Sequence, residues 1–268
     1  MKTPDLKEDQ IQQFVQDGYL VARNLLHSDI VATTRDELLK ALSIDPSDPE
    51  TWKGKGISAD PSILALTVKC RTEEVETIAE QLVGPHFIPN LCHSPYLESQ
   101  GVSPAIMPGY IPVINFPSPG PMEFQKPASY HIDGMHLATL WPGKHYLIIF
   151  AYLTDVAVYG GATTILPRSH RRVFEYWVQS GLPGSTNPPD LNYTDPVPLP
   201  GNAGDVIFMH YLTVHSGSPN HSLQIRMGLN TAVMPDPAHP YLRKSGSPQT
   251  DWTPLDYSLR TDMFFHPL

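Results

Sequence analysis

Residues 205–215, DVIFMHYLTVH, and 223–234, LQIRMGLNTAVM, are two apolar runs separated by the turn-forming SGSPN of residues 216–220. Both carry β-branched side chains, the first also Phe208 and Tyr211, and both are bounded by turn-forming residues, which predicts two strands joined as a hairpin. Side chains alternate across a strand. On the first run His215 therefore shares a face with Ile207, Met209, Tyr211 and Thr213, while His210 projects to the other. On the second, Gln224, Arg226, Gly228 and Asn230 fall on one side, with Leu223, Ile225, Met227 and Leu229 opposite. Arg226 interrupts an otherwise apolar stretch. An arginine turned into a barrel needs a partner, because an unpaired buried charge is strongly destabilising. A ligand carboxylate held by two parallel hydrogen bonds is a fitting one.

Outward from this pair, further strands are predicted at residues 111–116, 128–133, 145–156 and 162–166. The N-terminal third is helical. Ile11, Phe14 and Val15 recur at helical spacing up to Gly18, and a short strand at 19–26 follows. Ser28 and Asp29 then offer cap and first-turn chemistry to a helix carrying Ile30, Val31, Leu38, Leu39 and Leu42. A third helix spans 73–83 and a late one lies near 171–179. Helices first and strands later give a mainly β protein with flanking helices, an α+β unit. Several short strands that bury large residues close on themselves as a sandwich, barrel or jelly roll, whose mouth suits a ligand. The 29 prolines and 18 glycines are spread between these runs rather than gathered into a linker. The expectation is one domain over 1–268, with a helical part at about 1–105 packed on a β core at about 106–268.

Composition narrows the function. Of 268 residues 41% are hydrophobic, enough for a substantial core, and the net charge of -9 leaves no cationic surplus for nucleic acid or an anionic membrane. The polar start at 1–10 lacks a signal-peptide core, and the apolar run 146–153 is too short to span a bilayer. Two cysteines, Cys70 and Cys92, form no framework, so a cytoplasmic protein is expected. Without a secretory signal the sequons at Asn192 and Asn220 carry little meaning.

Twelve histidines make a His-x-Asp triplet unremarkable, and two occur. His27-Ser28-Asp29 sits at a helix start, where Ser28 and Asp29 have capping work. His131-Ile132-Asp133 ends a predicted strand, so His131 and Asp133 project to the same side and can converge on one metal ion. A facial triad for non-haem Fe(II) needs one more imidazole, for which His210, His215 and His221 compete. His215, at a strand end just before a turn, is favoured over His210, and His221 reads as a loop residue. His136 and His145 are alternative ligands.

Together, His131-Ile132-Asp133, the stretch GGATTILPRSH at 160–170, HSGSPN at 215–220 and Arg226 resemble the phytanoyl-CoA dioxygenase family of Fe(II)- and 2-oxoglutarate-dependent oxygenases. The opening DGYLV at 17–21, before Leu25-Leu26, is also similar to that family's N-terminal helix and strand. The resemblance implies a double-stranded β-helix (jelly roll, cupin-like), iron held by His131, Asp133 and His215, and 2-oxoglutarate paired through its distal carboxylate with Arg226. It also implies cosubstrate contacts from a small hydroxyl residue at Thr163 and an aromatic at Tyr152. The implied chemistry consumes O2, releases succinate and CO2, and hydroxylates or otherwise oxidises a small molecule; the presence of Asp133 argues against halogenation. This sequence departs from the family pattern at His215-Ser216-Gly217, usually His-Gly-Ser, and at Pro167-Arg168-Ser169-His170, usually Pro-Gly-Ser-His. Ser169 and His170 are expected to shape the turn into the next helix rather than bind metal.

The acidic balance favours a free, fairly apolar small molecule over a coenzyme A conjugate, and the family's breadth suggests secondary metabolism. Segments 95–110, 135–141 and 174–198 are expected to line its pocket. A zinc-dependent hydrolase and a non-catalytic jelly-roll binding module remain alternatives, and Arg226 discriminates against both.

Overall fold

The computed structural model describes residues 5–58, 60–84, 87–89, 109–133, 146–181, 187–235 and 253–259. The chain runs through α1 (Glu8–Asp17), β1 (Tyr19–Ala22), α2 (Ser28–Ala41), α3 (Pro61–Thr67), α4 (Glu73–Val83), β2 (Phe87–Pro89) and β3 (Ile111–Asn115). It continues with β4 (Leu147–Tyr152), β5 (Thr163–Ile165), α5 (Ser169–Ser180), β6 (Val197–Leu199), β7 (Val206–His210), β8 (His215–Gly217), β9 (Arg226–Pro235) and α6 (Pro254–Ser258). A major antiparallel sheet has the order β1-β7-β4-β9-β2, with β3 also paired to β9, and a minor sheet has the order β6-β5-β8. Among the described residues, no helix is long and apolar enough to cross a membrane.

Strand alternation sorts the major sheet's side chains into two cores. Leu147, Ile149 and Ala151 of β4, Val206 and Phe208 of β7, and Met227, Leu229 and Val233 of β9 pack with Phe14, Val31, Leu38, Val75, Ile78 and Leu82 of the helices. Their alternates, Ile148, Phe150, Tyr152, Ile207, Met209 and Ala232, meet Ile165 and Leu199 of the minor sheet. A strand covered on both faces reads as a continuous apolar run, which is why β4 is buried at all six positions. On β9 the inward set also contains Arg226, Gly228 and Asn230, so this strand brings polar groups into the space between the sheets.

Several sequence expectations are corrected. The run 205–215 is not one strand and forms no hairpin with 223–234. β7 stops at His210, and β8 begins at His215 in the other sheet, paired with β5 rather than β9. Local bonds to His210 and two bonds to distant segments hold the corner. Thr213 N donates to His210 O, Leu212 N to His210 Nδ1 and Val214 N to Ser169 Oγ. Thr213 Oγ1 donates to Gly18 O. Gly18 must be glycine: its φ is +82°, and a Cβ there would fall 2.4 Å from His170 Nδ1 and 2.7 Å from Thr213 Oγ1. The strand predicted at 128–133 reduces to a single bridge at His131. The strand after α1 ends at Ala22, before Asn24 takes φ +52°. His27, not Ser28, occupies the α2 N-cap, with no side-chain cap bond, while Asp29 does lie in the first turn. Helix α4 coincides with its expected range.

Behind the corner, His170 and His210 are fully buried with ring centroids 5.0 Å apart. Burial pushes His170 down to about 3 and holds His210 well below the usual imidazole range, helped by neighbouring positive charge from Arg171. Both are therefore neutral in the fold, whereas the unfolded chain protonates them near pH 6.5. Their contribution is present above that value and is lost as pH falls through it. Asp256 opposes them, because burial pushes its carboxyl up to about 7 and its neutral form gains as pH drops. Urea unfolding at pH 6.5 and 5 is expected to show that His210→Leu lessens the acid-induced loss of stability. An unchanged pH dependence would contradict a neutral His210.

Candidate active site

His131 and His215 meet because they form a reciprocal antiparallel pair. His131 N donates to His215 O and His215 N to His131 O, both at 3.0 Å. Directly opposed residues project to the same face, and the two ring centroids lie 4.4 Å apart. Ile132 points away into the helix-side core, so Asp133 returns to the side of His131. Asp133 Oδ1 lies 3.2 Å from His131 Nε2, and Asp133 Oδ2 lies 3.6 Å from His215 Nε2. One ligand atom from each of His131, Asp133 and His215 can be chosen so that all lie within 4.8 Å of one another.

The tautomer of His215 is set from behind. Its Nδ1 lies 2.9 Å from Thr213 O, so the Nδ1–H donates there and the Nε2 lone pair faces the cluster. The ring is 2% exposed and packs edge-on against Phe150 at 5.9 Å. Its Nε2 is buried and has no hydrogen-bond partner among the described residues. Burial disfavours ionisation of Asp133, but the imidazoles of His215 and His131 outweigh it and hold the carboxyl well below the usual range. Burial likewise opposes protonation of His215, and the Asp133 charge overcomes it, raising the imidazole. A carboxylate that draws a proton onto a facing imidazole is a site that favours a cation, and a divalent metal ion satisfies the orphaned Nε2 as well. Two imidazoles and one carboxylate suit a non-haem Fe(II) centre with open positions.

Arg226 lies further along the same interior, 4% exposed. Its Nη2 donates to Thr163 Oγ1 at 2.9 Å, its Nη1 lies 3.4 Å from Val113 O, and its guanidinium sits 5.4 Å from the Tyr152 ring centroid. Among the described residues its Nε has no partner and no acidic side chain pairs with it. The Tyr152 hydroxyl donates to Leu199 O and accepts from Thr163 N, tying β4 to the minor sheet. Gly217 faces Thr163 across the β5–β8 pair, and a Cβ there would meet nothing within 4 Å.

All six residues singled out in the sequence lie in these two adjoining clusters. His210 is on the helix side beside Phe14, and His221 sits in a loop against Ser118. His136, His145, Cys92 and segments 95–108, 135–141 and 182–186 lie outside the described residues. Asn230 and the Thr213 carbonyl were missed. Asn230 Nδ2 donates to Asp133 Oδ2 at 3.1 Å, and the one signal for it was its place on the Arg226 face.

The phytanoyl-CoA dioxygenase (PhyH) family model matches residues 14–228, and the chain belongs to that family. It is a non-haem iron- and 2-oxoglutarate-dependent enzyme with a jelly-roll core. No curated protein matches the sequence. Among solved structures, the α-ketoglutarate-dependent epimerase SnoN from nogalamycin biosynthesis superposes with a TM-score of 0.56 at 20% identity, over 90% of this chain and 89% of that one. The carbocyclase SnoK from the same biosynthesis gives 0.53 at 19% identity, over 86% and 85%. HygX from Streptomyces hygroscopicus, with nickel and 2-oxoglutarate bound, gives 0.52 at 16% identity, over 86% and 88%.

Proposed function

We propose that His131, Asp133 and His215 hold Fe(II), that Arg226 holds the distal carboxylate of 2-oxoglutarate, and that the enzyme oxidises a fairly apolar small molecule in secondary metabolism. When bound, these groups would couple reduction of O2 and decarboxylation of the 2-oxo acid to succinate and CO2 with removal of hydrogen from substrate, most simply as hydroxylation. The observation that carries this reading is the pairing of two demands unmet among the described residues of one interior: an imidazole nitrogen without a hydrogen-bond partner and a buried guanidinium without a carboxylate.

The chain's own residues prepare the rest. Thr163 Oγ1 fixes the guanidinium plane and the Tyr152 ring lies beside it, so the fork is presented in one orientation to a planar carboxylate. Phe150 packs on His215 and keeps water from that side of the ligand nitrogen. His131, with its side chain 49% exposed, forms the open edge through which substrate and O2 would approach. SnoN in complex with Fe3+, α-ketoglutarate and nogalamycin RO supports a small-molecule substrate and a biosynthetic role.

Anaerobic titration of the metal-free protein with Fe(II) and then 2-oxoglutarate tests the reading. The expected result is the weak visible charge-transfer band of a chelated keto acid, followed by succinate on admission of O2. A folded, iron-loaded protein that shows no band would leave Arg226 a structural residue and favour a hydrolase or a binding module.

A further inference from the structure

We infer that Asn230 is a positioning residue for the metal-ligating carboxylate of Asp133, an inference that rests on the metal reading above. Its Nδ2 lies 3.1 Å from Asp133 Oδ2, the oxygen that also faces His215 Nε2 at 3.6 Å. Asp133 needs such a partner. It stands in a turn after an isolated bridge rather than in a strand, and a carboxylate's terminal torsion is soft. Among the described residues, the remaining contacts of its oxygens are with the two imidazoles. A metal ion would claim those imidazoles for itself. The amide is then the one described group that still restrains the carboxylate.

The restraint comes from a rigid element. β9 is hydrogen-bonded on both flanks, with Asn230 opposite Ile111 on β3 and Phe150 on β4. The same strand carries Arg226 four residues earlier on the same face, about 13 Å away along the backbone. One strand thus sets both the cosubstrate clamp and the carboxylate's brace. An amide also suits the task electrically: it donates without bringing a positive charge that would compete with the metal. By engaging Oδ2 it biases Asp133 toward offering the metal a single oxygen, which preserves open positions for the cosubstrate and O2.

The test is an anaerobic Co(II) titration of the full chain, followed by its visible ligand-field bands, with the melting temperature of the metal-free protein measured alongside. Asn230→Leu, of similar size but without a donor, is expected to weaken Co(II) binding about tenfold or more and to alter the band pattern at saturation. The metal-free melting temperature should shift by only a few degrees. Asn230→Ala carries the same expectation should the leucine variant not fold. Co(II) affinity within about twofold of the parent, with identical bands, overturns the inference alone. A parent protein that binds no Co(II), with His131, Asp133 and His215 intact, overturns the metal reading itself and this inference with it.

Discussion

Asp133→Ala is expected to leave the protein folded while lowering Fe(II) affinity and turnover by more than about 100-fold, beyond what loss of a supporting outer contact causes. The two effects separate because of where Asp133 stands. Its neighbour Ile132, with no exposure, anchors the segment in the core, whereas the Asp133 side chain is 24% exposed and its described contacts are the two imidazoles and the Asn230 amide. Alanine removes the one negative charge of the cluster and leaves His131 and His215 facing each other without it. Circular dichroism and urea unfolding should match the parent, and Fe(II) titration and succinate release should fail. Full turnover in a folded Asp133→Ala protein would remove Asp133 from the triad. His215→Ala is a poorer test, since it also empties a packed site against Phe150.

Arg226→Lys is expected to raise the KM for 2-oxoglutarate about 10- to 100-fold with Fe(II) affinity unchanged. A hydrogen bond to a charged group is worth about 1.5–3 kcal/mol, and about 1.4 kcal/mol corresponds to each factor of ten. Lysine keeps the charge but not the planar fork. It cannot present two parallel donors, hold Thr163 Oγ1 in the same plane, or lie flat beside the Tyr152 ring. The change should therefore appear mainly in KM, with kcat at saturating cosubstrate altered less. An unaltered KM would make Arg226 a structural arginine whose role ends at Thr163 and Val113.

How much of this was legible in the sequence depends on the range of the interaction. Helix α4 and the two faces of β9 follow from periodicity among sequential neighbours. His131-x-Asp133 was legible for the same reason, even though the strand predicted around it shrinks to one bridge, because local alternation survives without a ladder. Family likeness added Thr163 and Tyr152, which no local pattern marks.

The sequence by itself determined which residues could face inward and which chemistry they could supply. The tertiary structure decided who meets whom. The run 205–215 looks like a single strand because every residue from Val206 to His215 is buried, yet it turns a corner at 211–214 and enters the other sheet. That corner is made by Gly18 and Ser169, far away in the chain. Asn230 reaches Asp133 across 97 residues, and His215 pairs with His131 across a bridge that no hydrophobic period encodes. Apolar periodicity reports only burial. Corners and cross-sheet contacts arise when distant backbone donors and acceptors must all be satisfied at once, a condition set by the closed fold.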